Sequence, residues 1–444
     1  MAQRPLSAAT LNDRMLPSPR PKPPDLFLSV PRRFRPPYRR SVTQDRKTNW
    51  GGVAFGLALA TFAAFQQFKL PPVLPLLLER YGYERWLAGS FMGVYALAGL
   101  LLTLALARWI ATRGAFPALW LALGLFLAAN LATLAVPEHG WLVLLARAAE
   151  GVAFAVCAVV GPATANASAS RRHLPLVIGA TAAWIPLGQI AGALLAEPAL
   201  ARGDWPLVWW AAVAATFLLA LWVWQLQARK SVGLAAAGGR MTDLRLTRAE
   251  RHSLWIAGAA FLIFSGQYFA YMTWLLQYLI EVHALPKDEA LHAYVFVVAV
   301  LAVVNVVGGW LMRHGLDAGP MLAVGMALQA ACWFLSPWTQ GMALGLVSLT
   351  VYGIGAGLAP TALFAMPSRI LGPGRPLVPA FGIIMTGRNV GVLLGPVLLA
   401  LLSELEEGWL LSGPLFGGVS VVAAVLGIWL WRRAAPGALQ GASR

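Results

Sequence analysis

The chain has 444 residues, of which 59% are hydrophobic and only 12% are charged. Because soluble domains carry about 25% charged residues, this composition excludes a single soluble core. The net charge of +16 does not indicate nucleic-acid binding, because 11 of the 34 Lys and Arg residues precede residue 50 and most others lie in short loops between apolar runs. Such loop charge is typical of membrane topology rather than of a phosphate-binding surface.

The first 49 residues are rich in Pro and Arg and contain no apolar stretch beside their charges. They do not resemble a signal peptide, and we predict a disordered cytosolic tail. Two alternatives stay open. The Arg-rich stretch 32–47 contacts anionic lipid headgroups, or the native chain starts near Trp50, where the pattern of a fold begins.

Twelve apolar segments follow, and a membrane-spanning helix needs about 20 such residues. The sequence therefore predicts an all-α membrane protein with twelve transmembrane helices. The predicted spans are residues 50–78, 86–108, 114–136, 140–162, 174–197, 206–227, 252–280, 291–312, 319–337, 341–364, 377–402 and 409–431.

The charges of the loops predict the orientation. With the N-terminus in the cytosol, the loops on the opposite side contain only four basic residues, Arg80, Arg85, Arg202 and Lys287. Positive loops are retained in the cytosol, so we predict a multi-pass protein of the cytoplasmic membrane with both termini cytosolic.

The longest internal loop divides the spans into six and six. The predicted organisation is a tail at 1–49, a six-helix bundle at 50–227, a cytosolic linker at 228–251, a second six-helix bundle at 252–432 and a C-terminal tail at 433–444. A weak repeat supports it, since "WIATRG" at Trp109 and "WLMRHG" at Trp310 follow the second and eighth spans. Two Gly-x-x-x-Gly pairs recur at nearly the same offset, in the fifth and eleventh spans. Duplication into two pseudo-symmetric bundles accounts for both matches.

Several segments resemble motifs of the major facilitator superfamily. "ARWIATRGA", residues 107–115, keeps two Arg residues and a Gly of its cytosolic loop motif but lacks the usual Asp and first Gly. "RAAEG" in the fourth span is similar to its Arg-x-x-Gln-Gly motif, with Glu150 in place of Gln. "PLGQIAG" in the fifth span resembles its Gly/Pro-rich hinge, and "GRNVGVLLGP" in the eleventh is comparable.

This resemblance implies two six-helix bundles that rock around a central site, exposing it to each side of the membrane in turn. It also implies gating or packing roles for Arg108, Arg113, Gly114, Gly151, Pro186, Gly188, Gly192, Gly391 and Gly395. A narrower resemblance concerns "QQFKLPPVLPLL" in the first span. That segment is similar to the basic-residue-then-Pro segment of cyanate/nitroimidazole-type transporters, which usually carry Arg-Pro where this chain has Lys69, Leu70 and Pro71.

Four ionisable residues lie inside the spans: Lys69, Arg147, Glu150 and Arg388. An ionisable group there costs about 2.5–3.5 kcal/mol on insertion scales, so each is a functional candidate. Arg388 lies near the middle of its span. It either binds the anionic group of a substrate or forms a structural pair with Glu150 or helix carbonyls.

The other three also have alternative roles. Lys69, with Gln66 three residues earlier, either attracts an anion or extends its amine outward to the interface. Arg147 and Glu150 are three apart on one helix and can form a structural ion pair. Alternatively, Glu150 is the proton-coupling acid and leaves Arg147 free for substrate.

Uncharged residues in the spans give further candidates. Gln267, Tyr271, Trp274 and Tyr278 form a polar and aromatic stripe that either lines the cavity or packs between helices. Asn389 is a further substrate-binding candidate. Asn305, Gln189 and Tyr352 are weaker ones that can also bond neighbouring helices.

The two cysteines, Cys157 and Cys332, lie in apolar runs and form neither a disulfide framework nor a metal-ligand spacing. We predict no metal, no cofactor, no nucleic-acid partner and no enzymatic activity. The positive sum of the intramembrane charges favours a secondary transporter of a small anion or organic acid, coupled to protons if Glu150 is the proton-coupling acid. We also expect a monomer. Efflux of hydrophobic drugs or other neutral molecules is the alternative.

Overall fold

The structure is a computed structural model that describes residues 47–170, 172–173, 177, 180–181, 183–229, 246–339, 341–372 and 378–433. Twelve long helices lie in these ranges. They are α1 (Trp50–Tyr81), α2 (Arg85–Arg113), α3 (Ala115–Ala135), α4 (Gly140–Ser168), α5 (Trp184–Arg202), α6 (Pro206–Arg229), α7 (Arg248–Glu281), α8 (Lys287–Arg313), α9 (Ala318–Leu335), α10 (Met342–Leu371), α11 (Val378–Ser403) and α12 (Gly408–Arg433).

Eleven of these helices are long and apolar enough to span a membrane. The other is α5, whose 19 residues include Glu197 and Arg202 near its end. The prediction of an all-α, twelve-helix membrane fold is confirmed. Residues 1–46, 230–245 and 434–444, which hold most of the predicted tails and linker, lie outside the described ranges, and the predicted domain boundaries stay predictions.

Local sequence signals explain several helix ends. The Asn49 side chain accepts a hydrogen bond from the Gly52 amide and caps α1. Thr247 and Glu250 bond each other's backbone in a capping box, so α7 begins at Arg248, four residues before the predicted start. Helix α2 continues to Arg113, past the predicted end at residue 108.

Helix α1 is interrupted at its two prolines. Its first part ends at Phe68, a 3-10 turn covers Pro71–Val73, and a short helix completes the span at Leu74–Tyr81. Proline lacks the amide hydrogen that a continuous helix requires and clashes with the preceding turn. The predicted disturbance is confirmed, and it occurs immediately after Lys69.

The same helix pairs recur in the two bundles. In each bundle the first helix packs on the fourth and fifth, the second on the fourth, and the third on the fourth and sixth. Between the bundles, α2 packs on α11 and α5 packs on α8. This repeated pattern agrees with the predicted pseudo-symmetry.

Glycines permit the closest helix approaches within each bundle. A Cβ added at Gly188 would lie 2.4 Å from the Ala64 Cβ of α1, and one added at Gly395 would lie 2.0 Å from the Gly266 carbonyl oxygen of α7. Gly192 and Gly391 make comparable contacts with the same partner helices. These two pairs therefore pack helices inside the bundles, and they do not form the surface between the bundles.

Candidate transport site

A cluster of buried charges lies inside the N-terminal bundle, and we call it the Glu150 cluster. The Lys69, Arg147 and Glu150 side chains are all 0% exposed. The Lys69 Nζ lies 2.8 Å from Oε1 of Glu150, and an Arg147 guanidinium nitrogen lies 2.5 Å from Oε2. One carboxylate therefore serves two cations, and the three groups together carry one positive charge.

Uncharged groups complete the coordination of both cations. Lys69 also donates to the side-chain oxygens of Gln66, at 2.6 Å, and Asn130, which accounts for all the protons of an ammonium group. Arg147 donates to the backbone oxygens of Phe91, Gln66 and Gln67 at 2.9–3.1 Å. Buried charges are tolerated when they are paired and fully hydrogen-bonded, and this cluster meets both conditions.

Aromatic rings enclose the cluster. The Tyr95 hydroxyl donates to Glu150, and the Tyr95 ring lies 4.4 Å from the Arg147 guanidinium carbon. The Trp209 ring lies 4.9 Å from the Lys69 Nζ. Asn130, Tyr95 and Trp209 were not predicted as site residues, because the predicted sites rested on Lys, Arg and Glu side chains inside the spans and on the stripe of the seventh span.

The position of Lys69 corrects one expectation. Its amine does not extend outward to the membrane interface, since it bonds groups on α3 and α4 inside the bundle. Its partners among the described residues all belong to the N-terminal bundle, whereas Arg388 lies on α11 of the other bundle. The helix break after Phe68 places Lys69 opposite Asn130 and Glu150, and two strong acceptors stabilise it there.

Arg388 has a different environment, at the boundary between the bundles. Its side chain is half-buried and donates to the Asn389 Oδ1 at 3.0 Å. Its guanidinium carbon lies 5.8 Å from the Phe269 ring. Among the described residues no carboxylate pairs with it, so the predicted alternative of a pair with Glu150 is wrong.

The surroundings of Arg388 come from both bundles. The Phe269 ring lies 5.6 Å from the Phe68 ring of α1. A Cβ added at Gly99 of α2 would lie 2.7 Å from the Asn389 amide nitrogen. The predicted candidates Arg388 and Asn389 therefore lie together at the contact of α11 with the opposite bundle, next to aromatic rings.

The predicted stripe on α7 faces the interior of the C-terminal bundle. Gln267 accepts from the Trp333 indole at 2.8 Å and the Tyr352 hydroxyl at 3.0 Å, and its amide bonds Gln329. The arrangement matches the Glu150 cluster. Gln66, Asn130 and Glu150 lie on the first, third and fourth helices of one bundle, and Gln267, Gln329 and Tyr352 lie on the same helices of the other.

The remaining stripe residues also pack within that bundle. The Tyr271 ring stacks on the Tyr352 ring with centroids 3.7 Å apart, and the Trp274 indole donates to the Pro396 carbonyl at 2.9 Å. Tyr278 donates to the Ser336 carbonyl at 3.1 Å. These contacts favour the packing interpretation of the stripe over the cavity interpretation.

A neighbouring face of α7 meets the other bundle. The Gln189 side chain of α5 lies within hydrogen-bonding distance of the Tyr268 hydroxyl. The amide nitrogen of Gln189 is 3.1 Å from the hydroxyl oxygen, and its amide oxygen is 3.2 Å from it. Sequence analysis named Gln189 as a weaker candidate and missed Tyr268. Successive residues on a helix point about 100° apart, so the stripe that contains Gln267 cannot also contain Tyr268.

The bundles are joined at the end of the molecule where α2 begins, which we call the Arg85 end. Arg85 pairs with Glu281 of α7 at 2.5 Å, and Lys287 of α8 pairs with Glu79 at 2.5 Å. Their side chains line a cavity of about 460 Å³ between the bundles. One turn further in, α2 touches α11, since a Cβ added at Gly89 would lie 2.7 Å from the Pro396 carbonyl oxygen.

Among the described side chains, the contact of α2 with α11 begins near the Arg85 end. On α11 it follows Ala400, Pro396, Leu393 and Asn389. Seven residues before Asn389, on the same face, Gly382 is exposed and an added Cβ there would meet nothing within 4 Å. Open space therefore adjoins α11 at Gly382, toward the Arg113 end.

The other predicted gating and packing residues are dispersed. Arg113 is exposed at the end of α2, and Gly114 follows it with φ of 88°. The side chain of Arg108 lies outside the described residues. Gly151 lets α4 approach α2, because an added Cβ would lie 2.9 Å from the Tyr95 Cα. Pro186 is buried in α5.

The sequence and the fold both match known proteins. Residues 56–376 match the sequence model of the Major Facilitator Superfamily. The chain belongs to this superfamily. Membership confirms the prediction of a multi-pass membrane transporter. No curated protein matches the sequence.

Two solved structures of a superfamily transporter resemble the chain. Both are of a bacterial homolog to the human lysosomal transporter Spinster, one inward-facing and occupied, the other inward-facing and unoccupied. Their TM-scores are 0.67 and 0.68, with 15% identity over 87% and 88% of this chain and 97% of the homolog. The narrower resemblance to cyanate/nitroimidazole-type transporters has no support in these matches.

The superfamily fold explains the geometry of the two ends. A carrier that alternates must close one end while it opens the other. Here ion pairs and helix contacts join the bundles at the Arg85 end, and open space adjoins α11 at Gly382, toward the Arg113 end. This arrangement corresponds to a state closed at the Arg85 end.

Proposed function

We propose that this superfamily member transports a small organic anion and binds its anionic group at Arg388. One observation carries the proposal: Arg388 is a half-buried cation at the bundle boundary, and no carboxylate pairs with it in the described part of the chain. A guanidinium in such a place has unused donors that suit a carboxylate, which it can bind through two parallel hydrogen bonds.

The charge of the surroundings supports an anion. The Glu150 cluster has a net charge of one positive unit, which adds to the charge of Arg388. In the low-dielectric interior a second positive centre strengthens the attraction for an anion and weakens it for a cation. Lys69 and Arg147 thereby contribute at a distance in this state, since their donors are already used by groups of their own bundle. Gln66 contributes by accepting a hydrogen bond from Lys69.

The aromatic rings beside Arg388 favour an anion with an apolar part. Phe269 lies against the guanidinium, and Phe68 lies against Phe269 from the other bundle. The same rings support the second candidate function, transport of a neutral hydrophobic molecule. The narrower resemblance to transporters of cyanate-like anions stays a prediction.

Proton coupling through Glu150 is a separate prediction. Both carboxylate oxygens lie within bonding distance of cations and one accepts from Tyr95, contacts that favour the ion-pair interpretation. If Glu150 carries the coupled proton, Glu150→Gln abolishes the dependence of transport on a pH gradient but leaves exchange at equal pH. If it is structural, both activities fall together.

The orientation and the assembly are also part of the proposal. We place the Arg85 end outside the cytoplasmic membrane and both termini in the cytosol, because positive charge concentrates in the loops at the Arg113 end. The protein acts as a monomer, since one chain contains both bundles and the site between them.

Counterflow in proteoliposomes tests the substrate class. The purified protein is assayed with monocarboxylates, cyanate-like anions and hydrophobic dyes. Wild type should move at least one anion, and Arg388→Ala should lose at least about 90% of that activity, because removing a charged hydrogen-bond partner costs about 1.5–3 kcal/mol. Arg388→Lys should keep part of it.

Arg202→Ala is the matched control, since Arg202 is exposed at the end of α5 and far along the helix from the bundle centre. It should transport normally. Transport of dyes without any anion would support the neutral-molecule alternative and reject the anion proposal. Normal transport by Arg388→Ala would exclude this residue as the binding group.

A further inference from the structure

Three uncharged polar side chains meet at the boundary between the bundles, one turn from Arg388. They are Gln189 of α5, Tyr268 of α7 and Tyr294 of α8, and each is at most 5% exposed. Gln189 and Tyr268 exchange hydrogen bonds at 3.1 and 3.2 Å. Tyr294 lies within electrostatic reach of both. We call these residues the polar triad.

Among the described residues, the Tyr294 hydroxyl has no partner in hydrogen-bonding geometry, although the Gln189 side chain is near. The hydroxyl is fully buried. An unsatisfied buried hydroxyl costs about 1–3 kcal/mol. A group that is kept at such a cost beside a candidate binding residue indicates that a bound molecule supplies the missing partner.

Helix packing sets the distance between the triad and Arg388. The Ser265 hydroxyl of α7 donates to the Arg388 carbonyl at 2.8 Å, so these two residues lie at the same level. Tyr268 is three residues further along α7 toward the Arg85 end, a rise of about 4.5 Å. The charge of Arg388 acts on the Tyr268 hydroxyl. A small molecule held by Arg388 can therefore reach the triad.

We propose that the polar triad binds a second, uncharged oxygen of the transported anion, a hydroxyl or keto group close to its carboxylate. The inference rests on the proposed function and narrows its substrate class to hydroxy- and keto-carboxylates. Tyr294 donates to that oxygen, and the Gln189 amide can donate to it or accept from it. Because Gln189 and Tyr268 belong to different bundles, a substrate oxygen that joins their hydrogen bond contacts both halves of the carrier at once.

Matched pairs of anions test the inference. The full-length protein in proteoliposomes is assayed for uptake of lactate against propionate and of mandelate against phenylacetate, which differ by one hydroxyl. A site that hydrogen-bonds a hydroxyl rejects the analogue without it, because its own polar groups are then left unpaired. Wild type should favour one hydroxylated member by at least tenfold in uptake efficiency, a preference of roughly the size expected for one neutral hydrogen bond.

Tyr294→Phe should bring that ratio close to one, and Gln189→Met should reduce it as well. Tyr81→Phe is the control, since it removes a tyrosine hydroxyl at the Arg85 end that accepts from the Trp205 indole at 3.1 Å. It should leave the ratio unchanged. A second measurement separates binding from folding: without substrate, Tyr294→Phe should be as thermostable as wild type or more so, because the hydroxyl it removes is unpaired.

Each outcome decides one claim. Equal uptake of both members of each pair by wild type overturns the inference and leaves the role of Arg388 intact. An unchanged ratio in Tyr294→Phe, or a clear loss of its thermostability without substrate, also overturns it. Failure of wild type to transport any organic anion rejects the proposed function itself.

Discussion

Replacing Glu150 by Gln removes the carboxylate that both buried cations share. Lys69 and Arg147 lie 2.8 and 2.5 Å from its two oxygens, and neither has another acidic partner among the described residues. Removing one member of a buried ion pair costs about 3–5 kcal/mol, because the other charge is left uncompensated. Two charges are left here, so we expect a loss near the upper limit, about 5 kcal/mol.

Replacing Lys69 by Met is the informative comparison. It leaves Arg147 and Glu150 as a neutral pair and relieves the repulsion between the two cations. Lys69→Met lowers stability mainly because the side-chain oxygens of Gln66 and Asn130 lose the donor that Lys69 supplied. The Gln66 oxygen still accepts a hydrogen bond from the Asn130 side-chain amide at 3.3 Å, so the Asn130 oxygen is the acceptor that is left without the Lys69 donor. A buried acceptor without a donor costs about 1–3 kcal/mol, so Lys69→Met should be less harmful than Glu150→Gln.

Unfolding of the purified proteins in mixed micelles by a denaturing detergent measures these free energies. We expect Glu150→Gln to be less stable than Lys69→Met by about 2 kcal/mol or more, and the double variant to regain little over Glu150→Gln. If Lys69→Met loses as much stability as Glu150→Gln, the charge of the cluster does not govern its stability, and the reasoning from shared compensation fails.

Three further predictions concern packing, gating and pH. Gly395→Ala should lower the free energy of unfolding by about 1–3 kcal/mol, because the added Cβ would lie 2.0 Å from a backbone oxygen of α7. Gly382→Ala is the control and should leave the free energy of unfolding unchanged, because the space around Gly382 is open. Equal losses in the two variants would reject the packing argument. Arg85→Glu breaks the ion pair with Glu281 and should raise the rate at which a thiol reagent labels a cysteine introduced between α2 and α11. Adding Glu281→Arg restores the opposite charges and should lower that rate again. If the double variant is labelled as fast as Arg85→Glu, the ion pair is not a gate. Burial lowers the pKa of His283, so stability should fall as the pH drops below the unfolded value of about 6.5, since the unfolded chain takes up the proton first. His283→Asn should flatten that slope in a thermal-unfolding pH series.

Several properties of the site were predictable from the chain alone because they are local. Arg388 was recognisable as a candidate because a lone cation in the middle of an apolar helix has few structural explanations. The Arg147 and Glu150 contact followed from their spacing of three on one helix. The break after Lys69 followed from the two prolines.

The sequence could not show which way the side chains point in three dimensions. Lys69 and Arg388 were both predicted as substrate-binding candidates, but Asn130 and Glu150 on other helices hold the Lys69 amine inside the N-terminal bundle. The stripe through Gln267 was chosen for its chemistry, yet the next two residues, Tyr268 and Phe269, are the ones seen to contact the opposite bundle.

By itself, the sequence determined that the chain enters a membrane, how many helices it forms, where most of them end, and that the two halves are repeats. These properties depend on apolar length, caps and prolines, which act over a few neighbouring residues. Only the tertiary structure decided that one carboxylate serves two cations while Arg388 stays without an acidic partner. That outcome depends on which faces of distant helices pack together, because charges on separate helices pair only where the packed fold brings them within a few ångströms.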